Sequence, residues 1–254
     1  MIRLLATLFF SFIALPALSE EVVLGMSQNR VAITANFDGS EILLFGAVKR
    51  EEPIALDPQL EVIIAISGPQ LPVTVRRKDK RFGIWVNVES VEVDEAPSFY
   101  AVATSKPLTD ILSGVEDQRH HITIPQSIRL VGEAREGVDP AEYAEAMMRI
   151  RSNAGLYTVQ EGAVEFSKQT LFSTRIALPA NLTEGDYATR VFLTRDGKVV
   201  SQFETQIDVR KVGLERWLFN LSRQQPLVYG LLSLAIAIAA GWGASAAFRL
   251  LRQG

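Results

Sequence analysis

The sequence predicts a mainly β protein: two immunoglobulin-like, β-sandwich-type units with a short helical insertion, followed by one C-terminal transmembrane helix. Three observations predict it. Leu227 to Phe248 (LVYGLLSLAIAIAAGWGASAAF) is an uncharged apolar run of about the 20 residues that a helix needs to cross a bilayer core. Two long stretches, one from Val22 to Thr104 and one from Leu156 to Val209, alternate apolar and polar residues between turn-forming breaks, the period of strands that bury one face. Between them, Ala141 to Ser152 carries Tyr143, Ala146 or Met147, and Ile150 at helical spacing.

The beginning of the chain supplies a direction. Met1-Ile2-Arg3 is a short basic segment, Leu4 to Leu15 is apolar, and Pro16 precedes the small residues Ala17 and Ser19 before Glu20. That order is the secretory signal pattern, which predicts a signal peptide over 1–19. A cleaved signal followed by a final stop-transfer helix predicts a single-pass protein whose bulk lies outside the cytoplasm. The span is then 227–248 and the cytoplasmic tail 249–254. Arg249 and Arg252 agree with a positive inner flank, against Arg216 and Arg223 on the other side.

The exported region reads in order as follows. Val31, Ile33 and Ala35 alternate with Ala32, Thr34 and Asn36, Asp38-Gly39-Ser40 makes a turn, and Glu41 to Val48 resumes as a strand, predicting a hairpin. Glu61 to Ser67 (EVIIAIS) is apolar on both faces, as a central strand is. Val73 and Val75 lead to a polar tip and Ile84, Val86 and Val88 return from it. The tip holds Arg76, Arg77, Lys78, Lys80 and Arg81, five basic residues in six. Such a run suits phosphate headgroups or an acidic partner, and equally a solvated loop that guards a strand edge. These strands define a first unit over 20–105.

A second β-rich unit is predicted over 106–210, with a helix at 140–152. Asp139 is its N-cap, Pro140 its first residue, and Asn153 with Gly155 its stop. Leu171 to Leu178 alternates cleanly, and Asp186 to Leu193 faces Val199 to Val209 across Asp196-Gly197. Glu184-Gly185-Asp186-Tyr187 is a phrase common in late strands of immunoglobulin-like modules. Over 211–226, Leu214, Trp217, Leu218 and Leu221 line one side of an amphipathic juxtamembrane helix, with Trp217 at headgroup level as an interfacial anchor.

Composition narrows the chemistry. The net charge is −3, which draws the chain neither to nucleic acid nor strongly to anionic lipid. Absence of cysteine excludes disulfides, thiolate metal sites and cysteine nucleophiles. No nucleophile elbow, phosphate loop, dinucleotide fingerprint or helical metalloprotease motif is present. His120 and His121, beside Glu116 and Asp117, are weak metal candidates, because neighbours on a strand point to opposite faces. The expectation is a protein that is not an enzyme and carries no cofactor. Within the span, Ala235, Ala239, Gly243 and Ala247 recur every four residues, a small-residue face on which another helix can pack closely.

Gly25 to Val48 (GMSQNRVAITANFDGSEILLFGAV) resembles the opening of a family of transmembrane proteins from alphaproteobacteria, and the layout is similar over essentially the whole chain. The resemblance implies a bacterial inner membrane with the bulk of the chain in the periplasm, and an association with permeases of the sulfite-exporter type. It supplies no catalytic or ligand residues. The expected partners are membrane lipid and another transmembrane helix, of its own copy or of a multi-span permease. The expected role is an interaction or accessory module, the alternative a tethered ligand- or metal-binding module.

Overall fold

The computed structural model describes residues 20–34, 36–50, 58–129 and 139–252, with the side chains at 214–216 and 246–252 outside that set. The secretory segment expected over 1–19 lies outside the described residues.

Glu61–Ser67, apolar at alternate and intervening positions alike, becomes β4, and all seven of its residues are buried. It is numbered after β1 (Glu21–Met26), β2 (Arg30–Ile33) and β3 (Ser40–Lys49). The chain continues through β5 (Gln70–Arg81), β6 (Ile84–Pro97) and β7 (Tyr100–Thr104) into α1 (Leu108–Ile111) and α2 (Gly114–His120). A 3-10 turn at Pro125–Ser127 and α3 (Pro140–Asn153) follow. The last strands are β8 (Tyr157–Gln160), β9 (Glu165–Ser167), β10 (Leu171–Leu178), β11 (Gly185–Arg195) and β12 (Lys198–Lys211). Two helices, α4 (Leu214–Gln224) and α5 (Pro226–Arg252), end the described chain.

The protein is mainly β, as expected. A four-stranded sheet runs β1-β3-β10-β9 and a six-stranded sheet β2-β12-β11-β4-β7-β8, with β5-β6 as a separate two-stranded ribbon. One apolar cluster joins the two large sheets: Ile42, Leu44, Phe172 and Ile176 on one side meet Val62, Ile64, Val191 and Ile207 on the other. The opposite face of the six-stranded sheet presents Ile63, Ala65, Tyr100, Val102 and Phe192, covered by Ile111 of α1 and by Ile122. The successive isoleucines of β4 thus serve two cores.

The division near residue 105 into two sandwich units is corrected by the pairing. β3 pairs with β10 and β4 with β11, so both large sheets take strands from either side of that boundary. A period-two pattern states which face a strand buries, not which strand lies beside it. The Asp38-Gly39-Ser40 turn is likewise no hairpin. β2 lies parallel to β12 while β3 sits in the other sheet, so the turn passes the chain between layers. Gly39 has φ +118°, and a Cβ there would lie 2.9 Å from the Leu178 carbonyl oxygen. The second aspartate-glycine signal holds: Arg195 pairs with Lys198 across Asp196 and Gly197, both at positive φ, the two-residue turn that matches strand twist.

α3 forms where expected. Pro140 opens it and the Asp139 side chain accepts the Ala141 N–H at 2.9 Å. Its buried residues are Tyr143, Ala144 and Met147, and Ile150 is exposed, because the face turns toward the ribbon base at Val93 and Ala96. Tyr187, in the phrase singled out from the sequence, is fully buried and donates its hydroxyl to the Thr183 carbonyl at 2.8 Å, the bond of a tyrosine corner.

Burial pushes the Tyr187 hydroxyl up to about 12 from an ordinary 10, against the smaller opposing effects of the nearby Ser98 side chain and of its hydrogen bond to the Thr183 carbonyl. Above pH 10 the unfolded chain releases this proton while the folded chain keeps it, so stability is full below pH 10 and falls as pH rises toward 12. Denaturant midpoints across that window should show the decline. Tyr187→Phe should reduce its slope, leaving the part carried by Tyr100 and Tyr157, which burial raises in the same sense.

Candidate functional site

Polar groups converge where α2 ends against the outer face of the six-stranded sheet. Ser113 starts this helix by accepting the Glu116 N–H at 3.4 Å, and His121 ends it in a left-handed conformation, φ 50°. The two histidines therefore stand at a helix end, not on a strand as their alternating context suggested. His120 places Nε2 3.5 Å from Glu116 Oε2 and sets its ring edge-on to Phe192 at 5.7 Å. His121 Nδ1 lies 3.0 Å from the Gln126 carbonyl oxygen. Among the described residues, no three of His, Asp and Glu are grouped to hold a metal ion.

Arg190 reaches across from β11 to this helix end. Its Nη1 donates to the His120 carbonyl at 2.7 Å, and its Nη2 to the His121 carbonyl at 2.8 Å and to Tyr100 Oη at 2.9 Å. The guanidinium thereby satisfies the free carbonyls of a helix C-terminus, where positive charge is favoured. Tyr100 Oη donates on to the Ile122 carbonyl at 2.9 Å. Burial raises the Tyr100 hydroxyl and the nearby Arg190 charge opposes that rise. The carboxylates are engaged as well. Glu116 accepts from Arg119 at 2.6 Å and from the Val199 N–H at 3.2 Å, and Asp117 accepts two backbone N–H groups and the Thr123 hydroxyl. Beside this cluster an open groove of roughly 890 Å³ runs along Tyr100, His121, Arg129, Asp186, Arg190 and Glu204.

The basic run lies elsewhere. β5 and β6 form a long antiparallel ribbon in which Arg81 pairs with Ile84. Arg76, Arg77, Lys78, Lys80 and Arg81 lie along the outer half of β5, and the tip itself is Phe82-Gly83. Arg77 Nη2 lies 3.1 Å from Glu89 Oε2, and Arg81 Nε 3.6 Å from Asp79 Oδ2. Tyr143 of α3 donates to Glu89 at 2.6 Å, which holds the helix against the ribbon as far out as that pair. A turn at Phe82-Gly83 was not legible as such, since phenylalanine is no turn former. The glycine between two alternating runs was the available signal.

The membrane segment follows β12. α4 presents Trp217 and Phe219 as exposed aromatics, with Arg223 5.6 Å over the Phe219 ring. In α5, Pro226–Ser245 is a 20-residue stretch long and apolar enough to cross a bilayer, with none of it buried against the rest of the chain. Ala235, Ala239 and Gly243 are exposed along it, and no other group lies within 4 Å of a Cβ placed at Gly243. Ala247, the fourth residue of that face, lies outside the residues whose side chains are described.

A β-rich fold ending in one bare apolar helix of this length makes the chain a membrane protein, with one candidate span among the described residues. It belongs to the alphaproteobacterial family described as "Putative transmembrane protein (Alph_Pro_TM)", whose model matches residues 21–250. A similar solved structure is the crystal structure of Spo0M, a sporulation control protein from Bacillus subtilis, at 12% identity and TM-score 0.29. That match covers 81% of this chain and 56% of the other, little more than half its length. A search of curated proteins finds no match.

Arg190→Ala should cost about 2 kcal/mol of stability, since it leaves two helix-end carbonyls and a buried hydroxyl short of a charged donor. Arg190→Lys, with one point of contact in place of a fork, should recover only part. Denaturant midpoints of the two variants check both expectations.

Proposed function

We propose that the chain is a non-enzymatic, single-pass protein of the bacterial inner membrane. In this reading the β-rich bulk stands in the periplasm, the C-terminus lies in the cytoplasm, and the folded part is an interaction or accessory module beside a multi-span transporter. The observation that carries it is α5, an apolar helix whose small-residue face meets nothing else in the described chain. In lipid, helices associate through such faces because small side chains let backbones approach. The secretory pattern at 1–19 supports the outward orientation. Val23, Phe45 and Leu171, exposed together on the outer face of the four-stranded sheet around a hollow of roughly 600 Å³, support a contact role for the folded part, as such apolar patches do.

Purification of the full chain in mild detergent tests the reading. It should bring down a multi-span protein, and Ala239→Leu with Gly243→Leu should reduce that recovery by tenfold or more. A clean monomer from the wild-type chain would count against the proposal.

The groove beside Arg190 favours a second reading, a membrane-tethered module that binds a small polar ligand. Its polar rim, which carries Arg129, Arg190 and His121 together with Asp186 and Glu204, suits a zwitterionic molecule.

A further inference from the structure

The β5–β6 ribbon extends far beyond anything the two cores require. Ser67 pairs with Tyr100, the Gly68 N–H donates to the Phe99 carbonyl, the Ser98 N–H to the Pro69 carbonyl, and Gln70 pairs with Pro97. The central β4–β7 ladder therefore runs unbroken into the ribbon, which at about 3.3 Å per residue projects roughly 40 Å. Its direction follows from the register. β4 runs alongside β12 in the same sense through β11, so Ser67 lies at the sheet end where β12 finishes and α4 begins. The ribbon thus springs from the end at which the chain leaves the sandwich for the membrane.

Its tip is built against the usual rules of a turn. Phe82 and Gly83 both take positive φ, 51° and 84°, the turn that favours Asn-Gly. A phenylalanine pays about 1–2 kcal/mol for that conformation, and here it gains no burial, because Phe82 is fully exposed. Ile84 and Trp85 expose 65% and 68% of their surface. The cations stand beside and behind this apolar apex, with Arg81 and Lys80 directly opposite Ile84 and Trp85. Arg76, Arg77, Lys78, Lys80 and Arg81 against Asp79 and Glu89 leave residues 76–89 at +3, in a chain that carries −3 overall. Arg77 and Arg81 have carboxylate neighbours, whereas Arg76, Lys78 and Lys80 have no ion-pair partner among the described residues.

We propose that the ribbon tip is a second, reversible contact with the bilayer that α5 crosses: Phe82, Ile84 and Trp85 enter the interface of an anionic membrane, and Arg76, Lys78 and Lys80 meet its phosphates. The order along the ribbon is the order of a bilayer surface. Phe82 leads at the turn, the last two pairs set Ile84 against Arg81 and Trp85 against Lys80, about 7 Å deep, and Lys78, Arg77 and Arg76 follow in the next four, where headgroups lie. The long stems of Lys80 and Arg81 let their charges reach back to that level. Aromatics favour that boundary, and basic side chains gain there from anionic lipid. An acidic protein surface would match the cations but leave the apolar apex without a place.

The chain lacks cysteine, so a single Ile84→Cys can carry a fluorophore on the full-length protein reconstituted in vesicles, with Lys198→Cys at the far end of the sheet as reference. With phosphatidylglycerol present, a lipid-borne nitroxide should quench the label at 84, and aqueous iodide should quench it several-fold less than the label at 198. Lys78→Gln with Lys80→Gln should shift the bound-to-free ratio about 25-fold toward free, fivefold per charge. Phe82→Asn with Trp85→Ser should abolish lipid quenching while leaving the circular dichroism of the sheets unchanged. Iodide access at 84 equal to that at 198 in anionic vesicles overturns the proposal. So does equal protection in purely neutral vesicles, which removes phosphate recognition by charge. Protection in detergent alone that grows with protein concentration would assign the tip to a second copy of the chain and overturn it as well.

Discussion

The architecture depends on one strand that water touches on neither side. β4 is buried along its whole length, so each of its faces needs a cover, and burial of each isoleucine contributes roughly 1.5–3 kcal/mol only if that cover is complete. One face takes the four-stranded sheet. The other takes the helical segment after β7, pinned by Ile111 and Ile122. The arginine fork at the end of α2 belongs to the same requirement. A helix end laid on an apolar face has carbonyls without intrahelical partners, and Arg190 supplies donors to them from the strand beside β4.

The ribbon inherits its rigidity from that centre. Its root is clamped on two sides. Arg151 of α3 and Tyr157 of β8 both donate to the Pro97 carbonyl, and Gly185 lies so close to Pro69 that a Cβ there would meet Pro69 Cγ at 2.7 Å. Farther out, α3 adds Met147 over Val93 and Ala96 and the Tyr143–Glu89 bond. The outermost residues, 76–85, are exposed without exception.

Much of this was written in local pattern. The doubly apolar EVIIAIS, the alternation of Leu171 to Leu178, the Asp139-Pro140 helix start and the Asp196-Gly197 turn all concern neighbours a few residues apart, where sequence spacing and geometry coincide. The partners of the strands were not legible, because β3 beside β10 and β2 beside β12 are matters of shape complementarity across the whole chain. His120 to Ile124 looked like an alternating strand, yet Ser113 with Glu116 three residues on is a helix-start pattern that points the other way, and the carboxylate of Asp117 then gathers the backbone at 122 and 123. The reading of Arg76 to Arg81 as a loop followed from charge alone. Paired across to the strand of Val86 and Val91, the same residues make a ladder whose apolar apex no composition count would reveal.

The seam between β2 and β12 joins residues 178 positions apart, marked by Arg30 Nε 3.2 Å from Asp208 Oδ2. During synthesis β1 can pair with β3 and β4 with β7, but β2 and the second edges of β3 and β4 wait for β12, β10 and β11. Such open edges are sticky. The strand that closes the seam is followed directly by α4 and α5, so the ladder that completes this edge of the six-stranded sheet is also the one tied to the apolar helix.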